Sequence, residues 1–246
     1  MRLTDPRTAV VAKRLAGIQR VIAFSSAKGG VGKTMCTVVS ALVLARGGRR
    51  VGILDLDMQG ASAHLFLGTR PRLPEEKQGI LPLPVADGVS LMSVAPFTGE
   101  RGLLLRGAEV SDAILELLAV TMWGPAELLL IDMPPGMGEE ILDLARLVPR
   151  LEALVVSTPA VVSVSVVERL LSVLRELHVS VPAVIANMVQ GDSGRVRELA
   201  RRAGVARVVE VPQDSSIEAA IGNADALASS AAGIALEKAM ASLGYL

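Results

Sequence analysis

The chain of 246 residues contains one cysteine, Cys36. A disulfide framework is excluded, as is a metal site built from several thiolates of one chain. Aromatic residues are nearly as scarce, with one Trp, one Tyr and three Phe. A core must be assembled from Ala, Val, Leu and Ile, and a hydrophobic share of 51% supplies them. The two histidines, His64 and His178, stand alone, so no Ser–His–Asp triad or metal-ligand spacing emerges. Charge of either sign is not in excess: 25 basic residues meet 25 acidic ones. A whole-molecule pull on nucleic acid is therefore not expected. Long apolar runs are missing too. The most apolar stretch, Ala153 to Val167, lies between Glu152 and Glu168 and contains Pro159, whereas a membrane span needs ~20 apolar residues. The N-terminus carries Arg2, Asp5, Arg7, Lys13 and Arg14 and lacks a signal-peptide core. These absences predict a cytoplasmic chain with no membrane partner. They fit a single domain over residues 1–246, with residues 1–18 as a lead-in helix.

What is present is an alternation. Short aliphatic runs at Val21–Ser25, Val51–Asp55, Leu91–Val94, Leu128–Asp132, Ala153–Ser157, Val181–Ala186 and Val208–Val211 read as strands. Between them, Lys33–Ala45, Val110–Val120, Glu139–Leu147, Val161–Leu177, Gly194–Ala203 and Ala231–Leu243 read as helices. This order predicts an α/β fold, a doubly wound, mostly parallel sheet flanked by helices. The glycine loop between the first strand and the Lys33–Ala45 helix makes the expected class a P-loop NTPase. Gly68 to Gly88, rich in Pro and Gly, is expected to be a long loop.

The strongest signal is Val21-Ile-Ala-Phe-Ser-Ser-Ala-Lys-Gly-Gly-Val-Gly-Lys-Thr34. An aliphatic strand runs into a Gly-rich turn and then a helix, the context that gives a phosphate-loop motif physical meaning. Gly29, Gly30 and Gly32 let the backbone amides curl inward as an anion nest, with Val31 between them and the helix start at Lys33, Thr34 and Met35 behind. Lys33 is expected to reach the β- and γ-phosphates of a nucleotide, and the Thr34 hydroxyl to ligate Mg²⁺.

Two acidic strand ends complete the pattern. Val51-Gly-Ile-Leu-Asp55 continues to Leu56-Asp57, placing two carboxylates at i, i+2, expected to point the same way. Asp55 is assigned to metal-bound water and Asp57 to the attacking water. Leu128-Leu-Leu-Ile-Asp132 has the Walker B pattern, with Asp132 behind the Mg²⁺. Met133-Pro-Pro-Gly-Met-Gly138 follows, a segment suited to two discrete positions set by the γ-phosphate. Asn187 ends a later strand and could pair with the adenine edge through its donor and acceptor. Pro212, in Val211-Pro212-Gln213-Asp214, is expected to form the other wall of the base site. ATP is thus the expected nucleotide.

Together these motifs resemble the deviant Walker group that includes ParA, MinD and nitrogenase iron protein. Within it they look most like the Mrp-type (ApbC-like) iron–sulfur cluster carrier ATPases. The likeness runs along nearly the whole chain. It is carried by Gly17-Ile-Gln-Arg-Val-Ile-Ala, Arg106-Gly107, Trp123-Gly124, Asp132-Met-Pro-Pro-Gly136, Asn187-Met188 and Val211-Pro212-Gln213-Asp214. The resemblance implies that Lys28 crosses a dimer interface to the partner's phosphates, which makes Lys28, Lys33 and Asp57 the catalytic set. It also implies an ATP-dependent homodimer with slow hydrolysis, holding a cluster through a Cys-x-x-Cys pair after the Asn-Met strand. Here that segment reads Val189-Gln-Gly-Asp-Ser-Gly194. An iron–sulfur cluster is therefore not expected on this chain alone, because thiolates are the ligands. Cys36 reads as a small buried hydrophobe. The expected role is in cluster assembly through a protein partner, cargo or cysteine-bearing paralogue in a heterodimer. The alternative is ParA-like partitioning of DNA or cargo, for which Arg195, Arg197, Arg201, Arg202 and Arg207 would supply the basic patch.

Overall fold

The computed structural model describes residues 5–98 and 107–246. Arg106 of the Arg106-Gly107 pair lies outside them. In chain order the first half runs α1 (Arg7–Leu15), β1 (Arg20–Ser25), α2 (Lys33–Arg46), β2 (Val51–Asp55), α3 (Ala63–Phe66), β3 (Leu83–Ala86), β4 (Val89–Ser93), α4 (Ala95–Thr98) and α5 (Ala108–Val120). Then follow β5 (Leu128–Asp132), α6 (Glu139–Leu147), β6 (Leu151–Ser157), α7 (Val161–Glu176), β7 (Ser180–Val189), α8 (Gly194–Ala203) and β8 (Val208–Pro212). The short α9 (Ser216–Ala220) and α10 (Ala224–Ser229) lead into α11 (Ala231–Ser242).

The strands form one eight-stranded sheet in the order β3-β4-β2-β5-β1-β6-β7-β8. Every neighbouring pair is parallel except β3 with β4. Side chains alternate across the strands, so each strand feeds two cores. In β5, Leu129 and Ile131 face α1, α5, α6, α7 and α8, while Leu128 and Leu130 face α2, α10 and α11. Burial on both faces is why these strands read as continuous aliphatic runs. The segment expected to be a loop from Gly68 to Gly88 does contain one strand, β3. Its Leu-Pro-Val-Ala sequence hides the alternation, and Pro84 is tolerated because β3 is the sheet edge.

Helix α2 is apolar nearly all round, and Met35 to Leu44 are buried. It packs against α11 and α10 on one side and the sheet on the other. Each fully buried aliphatic there contributes roughly 1.5–3 kcal/mol, which anchors the helix carrying the phosphate loop. Chain connections diverge at β1: the route to β2 crosses one way, while β6, β7 and β8 run the other. The segment after β1 therefore sits at the switch point where open α/β sheets bind ligands. Among the described residues no helix is long and apolar enough to cross a membrane.

Candidate nucleotide-binding site

After Ser25 the chain turns through residues 26–32 and enters α2. Gly30 and Gly32 hold φ of +77° and +82°, positions an L side chain occupies only under strain. Gly32 is the N-cap of α2, so the unpaired amides and positive end of the helix meet this loop. A cleft of about 280 Å³ opens over it, lined by Ser26, Gly29 to Met35, Asp57, Ser62, Phe66 and Pro135. The loop residues Gly29, Gly30, Val31, Gly32, Lys33, Thr34 and Met35, expected from sequence, are thus brought together.

Beneath the loop lies a buried charge cluster. Lys33 Nζ donates to Asp132 Oδ1. Thr34 Oγ1 donates to Asp132 Oδ2 at 2.6 Å, and Thr37 Oγ1 approaches Oδ1 at 3.3 Å. Lys33 is 6% exposed and Asp132 not at all. Asp55 is the register partner of Asp132 across β2 and β5 and is equally buried. It accepts from the amides of Asp57 and Ala63, each at 3.2 Å. Burial, reinforced by the charge of Asp132, pushes the Asp55 carboxyl up to about 7. Burial also pushes Asp132 up, while Lys33, Thr34 and Thr37 pull it back. Two carboxylates facing one ammonium leave a cation deficit, and the donors are all hard oxygens. That set fits Mg²⁺, with Thr34, Asp132 and Asp55 as the residues that would hold it or its waters.

The strand alternation does not extend from Asp55 to Asp57. The strand stops at Asp55, and the Asp57 amide turns back onto the Asp55 carboxylate. This takes residue 57 out of the pleat. Asp57 lines the cleft and accepts from the amides of Gln59 at 3.3 Å and Gly60 at 2.9 Å. Asn187 Nδ2 donates one of its two hydrogens to the Val31 carbonyl at 2.8 Å, and its Oδ1 is buried without a partner among the described residues. One N–H and the acceptor remain uncommitted. Pro212 ends β8 opposite Val189 and is not in the lining of the phosphate cleft. Lys28 is exposed at the loop tip, with no hydrogen bond or ion pair among the described residues.

Two contributors, Thr37 and Ser26, escaped the sequence reading, while Pro135 belongs to the segment it singled out. Thr37 lies four residues after Lys33, the spacing that puts both on one helix face. Ser26 precedes the loop, and its buried hydroxyl has no partner. Pro135 rests beside Gly29, where an added Cβ would sit 3.9 Å from its own Cβ. The Met133 amide donates to the Phe24 carbonyl at 3.2 Å and the Gly136 amide to Ser26 at 2.9 Å, which latches residues 133–136 to the phosphate loop.

The family model described as ParA, NUBPL iron-transfer P-loop NTPase, matches residues 17–243. The chain belongs to this family. The iron-sulfur cluster carrier protein of Mycobacterium bovis is 38% identical over 172 residues, 70% of this chain and 45% of that protein. The chloroplastic Fe-S cluster assembly factor HCF101 of Arabidopsis thaliana is 35% identical over 211 residues, covering 80% of this chain and 39% of the factor. The chain thus spans less than half the length of these two relatives. The nucleotide-binding protein of Archaeoglobus fulgidus, solved in complex with ADP, superposes with a TM-score of 0.76 at 29% identity, over 89% of this chain and 92% of that one. The cell division ATPase MinD of Pyrococcus furiosus shares the fold, with a TM-score of 0.67 at 20% identity, over 92% of this chain and all of that one (100%). The ParA/NUBPL framework places this chain among nucleotide-binding P-loop NTPases related to iron–sulfur cluster carriers.

One feature of this family member concerns sulfur. Cys36 is fully buried in α2, and burial, then the charge of Asp132, pushes its thiol up to about 12. A thiol so placed does not ionise to a ligand. The 189–194 segment is held by polar pairs instead, with Gln190 on Gln213 and Asp192 on Arg197 at 2.7 Å.

Proposed function

We infer that the chain is an ATP-binding, slowly hydrolysing dimeric switch of the Mrp type that serves iron–sulfur cluster assembly through a partner rather than through ligands of its own. The observation that carries this is the buried Lys33–Asp132–Thr34 cluster under a glycine loop, with Lys28 exposed and unpartnered beside it. In this reading Lys33 would serve the phosphates, and Thr34 and Asp132 would hold the metal or its waters. Mg²⁺ supplies charge neutralisation on the phosphate oxygens. Asp57, already in the cleft, orients the attacking water. Asn187 Oδ1 accepts from the adenine amino group, with Pro212 as the wall beyond it.

A dimer is supported by the surface around the cleft. Leu65, Phe97, Met137, Val161, Val162 and Met188 are all exposed apolar residues, at the end of β7 or in segments that follow the C-terminal ends of parallel strands. A second copy laid over those ends would cover them and bring its Lys28 to the facing phosphates, as a cation supplied in trans. DNA partitioning is less well supported. On and beside α8, Arg197 pairs with Asp192 and Glu210, Arg201 with Glu198, and Arg202 with Glu168.

The test is Lys28→Ala, assayed for phosphate release and for mass with and without Mg–ATP. Hydrolysis should fall by roughly tenfold or more and the ATP-induced dimer should be lost, with ADP binding retained. A Lys28→Ala monomer that hydrolyses at the wild-type rate overturns the trans-acting role. Stoichiometric iron and sulfide on the reconstituted homodimer would overturn the partner-borne cluster.

A further inference from the structure

The opposite edge of the sheet holds a second polar site. Arg20 is the first residue of β1, Glu152 the second of β6, and Arg207 immediately precedes β8. They share a face by alternation, because Ile22, Leu154 and Val209, two residues on in each strand, all belong to or pack on the α2–α11 core. Arg20 and Arg207 begin three strand spacings apart, roughly 14 Å, within convergent reach of two long side chains. They border a cleft of about 510 Å³ together with Arg150, His178 and Tyr245.

Contacts with the 242–245 segment hold two of the arginines in place. Arg20 donates to Glu152 at 2.6 Å and its guanidinium lies 5.6 Å from the centre of the Tyr245 ring. Arg207 donates to the Ser242 carbonyl. The Tyr245 hydroxyl takes the other Glu152 oxygen. Tyr245 stays a neutral donor because burial, then Glu152, raises its pKa. Glu152 is 12% exposed and spends both oxygens on these partners. Arg150 and the His178 side chain have no hydrogen bond or ion pair among the described residues. Three guanidinium groups thus meet one carboxylate that is already engaged.

We propose that this cleft is a binding site for a small phosphorylated molecule, with Arg150 and Arg207 gripping the phosphate and Arg20 held behind them. Guanidinium forks match phosphate oxygens in pairs. The cleft falls in the range of small-molecule pockets rather than of a bare ion. It lies at the N-terminal ends of the strands, away from the phosphate loop, and shares no lining residue with the nucleotide cleft.

The probe is inorganic pyrophosphate, titrated calorimetrically into the full chain with the loop cleft first saturated with Mg–ADP. A saturable site is expected, weakened roughly tenfold or more in Arg150→Ala/Arg207→Ala. Arg150→Ala alone should weaken it severalfold, and this exposed, unpartnered residue can be removed without cost to folding. Matching unfolding temperatures certify the variants. Absence of saturable binding to the wild type overturns the proposal, as does unchanged affinity in the Arg150→Ala protein. If Mg–ADP fails to bind, the nucleotide reading falls, while the arginine comparison still decides this one.

Discussion

Gly32→Ala is the substitution on which the loop geometry can be tested in energy units. Residue 32 holds φ of +82°, and a Cβ there would overlap Asn187 Nδ2 and come 3.4 Å from Met188 Cε. The backbone strain of a non-glycine residue in this region costs about 1–2 kcal/mol. Relief of the overlap requires the Asn187 amide to leave the Val31 carbonyl. Both groups are then buried without partners, which costs about 1–3 kcal/mol. The expected destabilisation is the sum, roughly 2–5 kcal/mol. Urea unfolding at constant slope measures it. Asn187→Ala provides the internal control. Alone it should cost about 1–3 kcal/mol by stranding the Val31 carbonyl. It also vacates the space the new methyl needs, so Gly32→Ala on that background should cost only the strain. The cycle should therefore show coupling of about 1–3 kcal/mol. A Gly32→Ala cost below about 1 kcal/mol, or full additivity with Asn187→Ala, would refute the reasoning.

Two further substitutions probe the charges. Asp132→Asn keeps the shape but removes the carboxylate to which Lys33, 6% exposed, donates. It leaves Asp55 as the counter-charge and should cost at most about 3–5 kcal/mol by thermal or chemical unfolding. Lys33→Met added to it should return most of that loss, and failure to do so would mean the pair is not the cause. Asp55 has a folded-state pKa of about 7 against an ordinary 3.8. The folded chain thus holds a proton that the unfolded chain has released across that window. The metal-free protein should lose stability as pH rises from about 4 to about 7 through this group. Asp55→Asn should flatten that decline, gaining on the wild type as the medium becomes more alkaline. Parallel pH profiles for the two proteins would contradict the assignment.

The sequence by itself determined the class of fold and the phosphate loop. Strands buried on both faces must be aliphatic throughout, so β1, β2, β5 and β6 were legible, and a glycine turn between such a strand and a helix has one common use. The placing of the loop residues, Thr34 and Asp132 was legible because it depends on local spacing and on strand ends. Tertiary structure decided what depends on contacts between distant segments. Only it showed Asp55 beside Asp132 on neighbouring strands while Asp57 lies past the strand end, in the lining of the cleft. It alone tied one hydrogen of the Asn187 amide to the loop, 156 residues away in sequence. The same holds for the edge strand β3 and for the arginine cleft at the far side. A register partner, a spent hydrogen bond and a shared cavity are properties of chain crossings, which no local pattern of residues encodes.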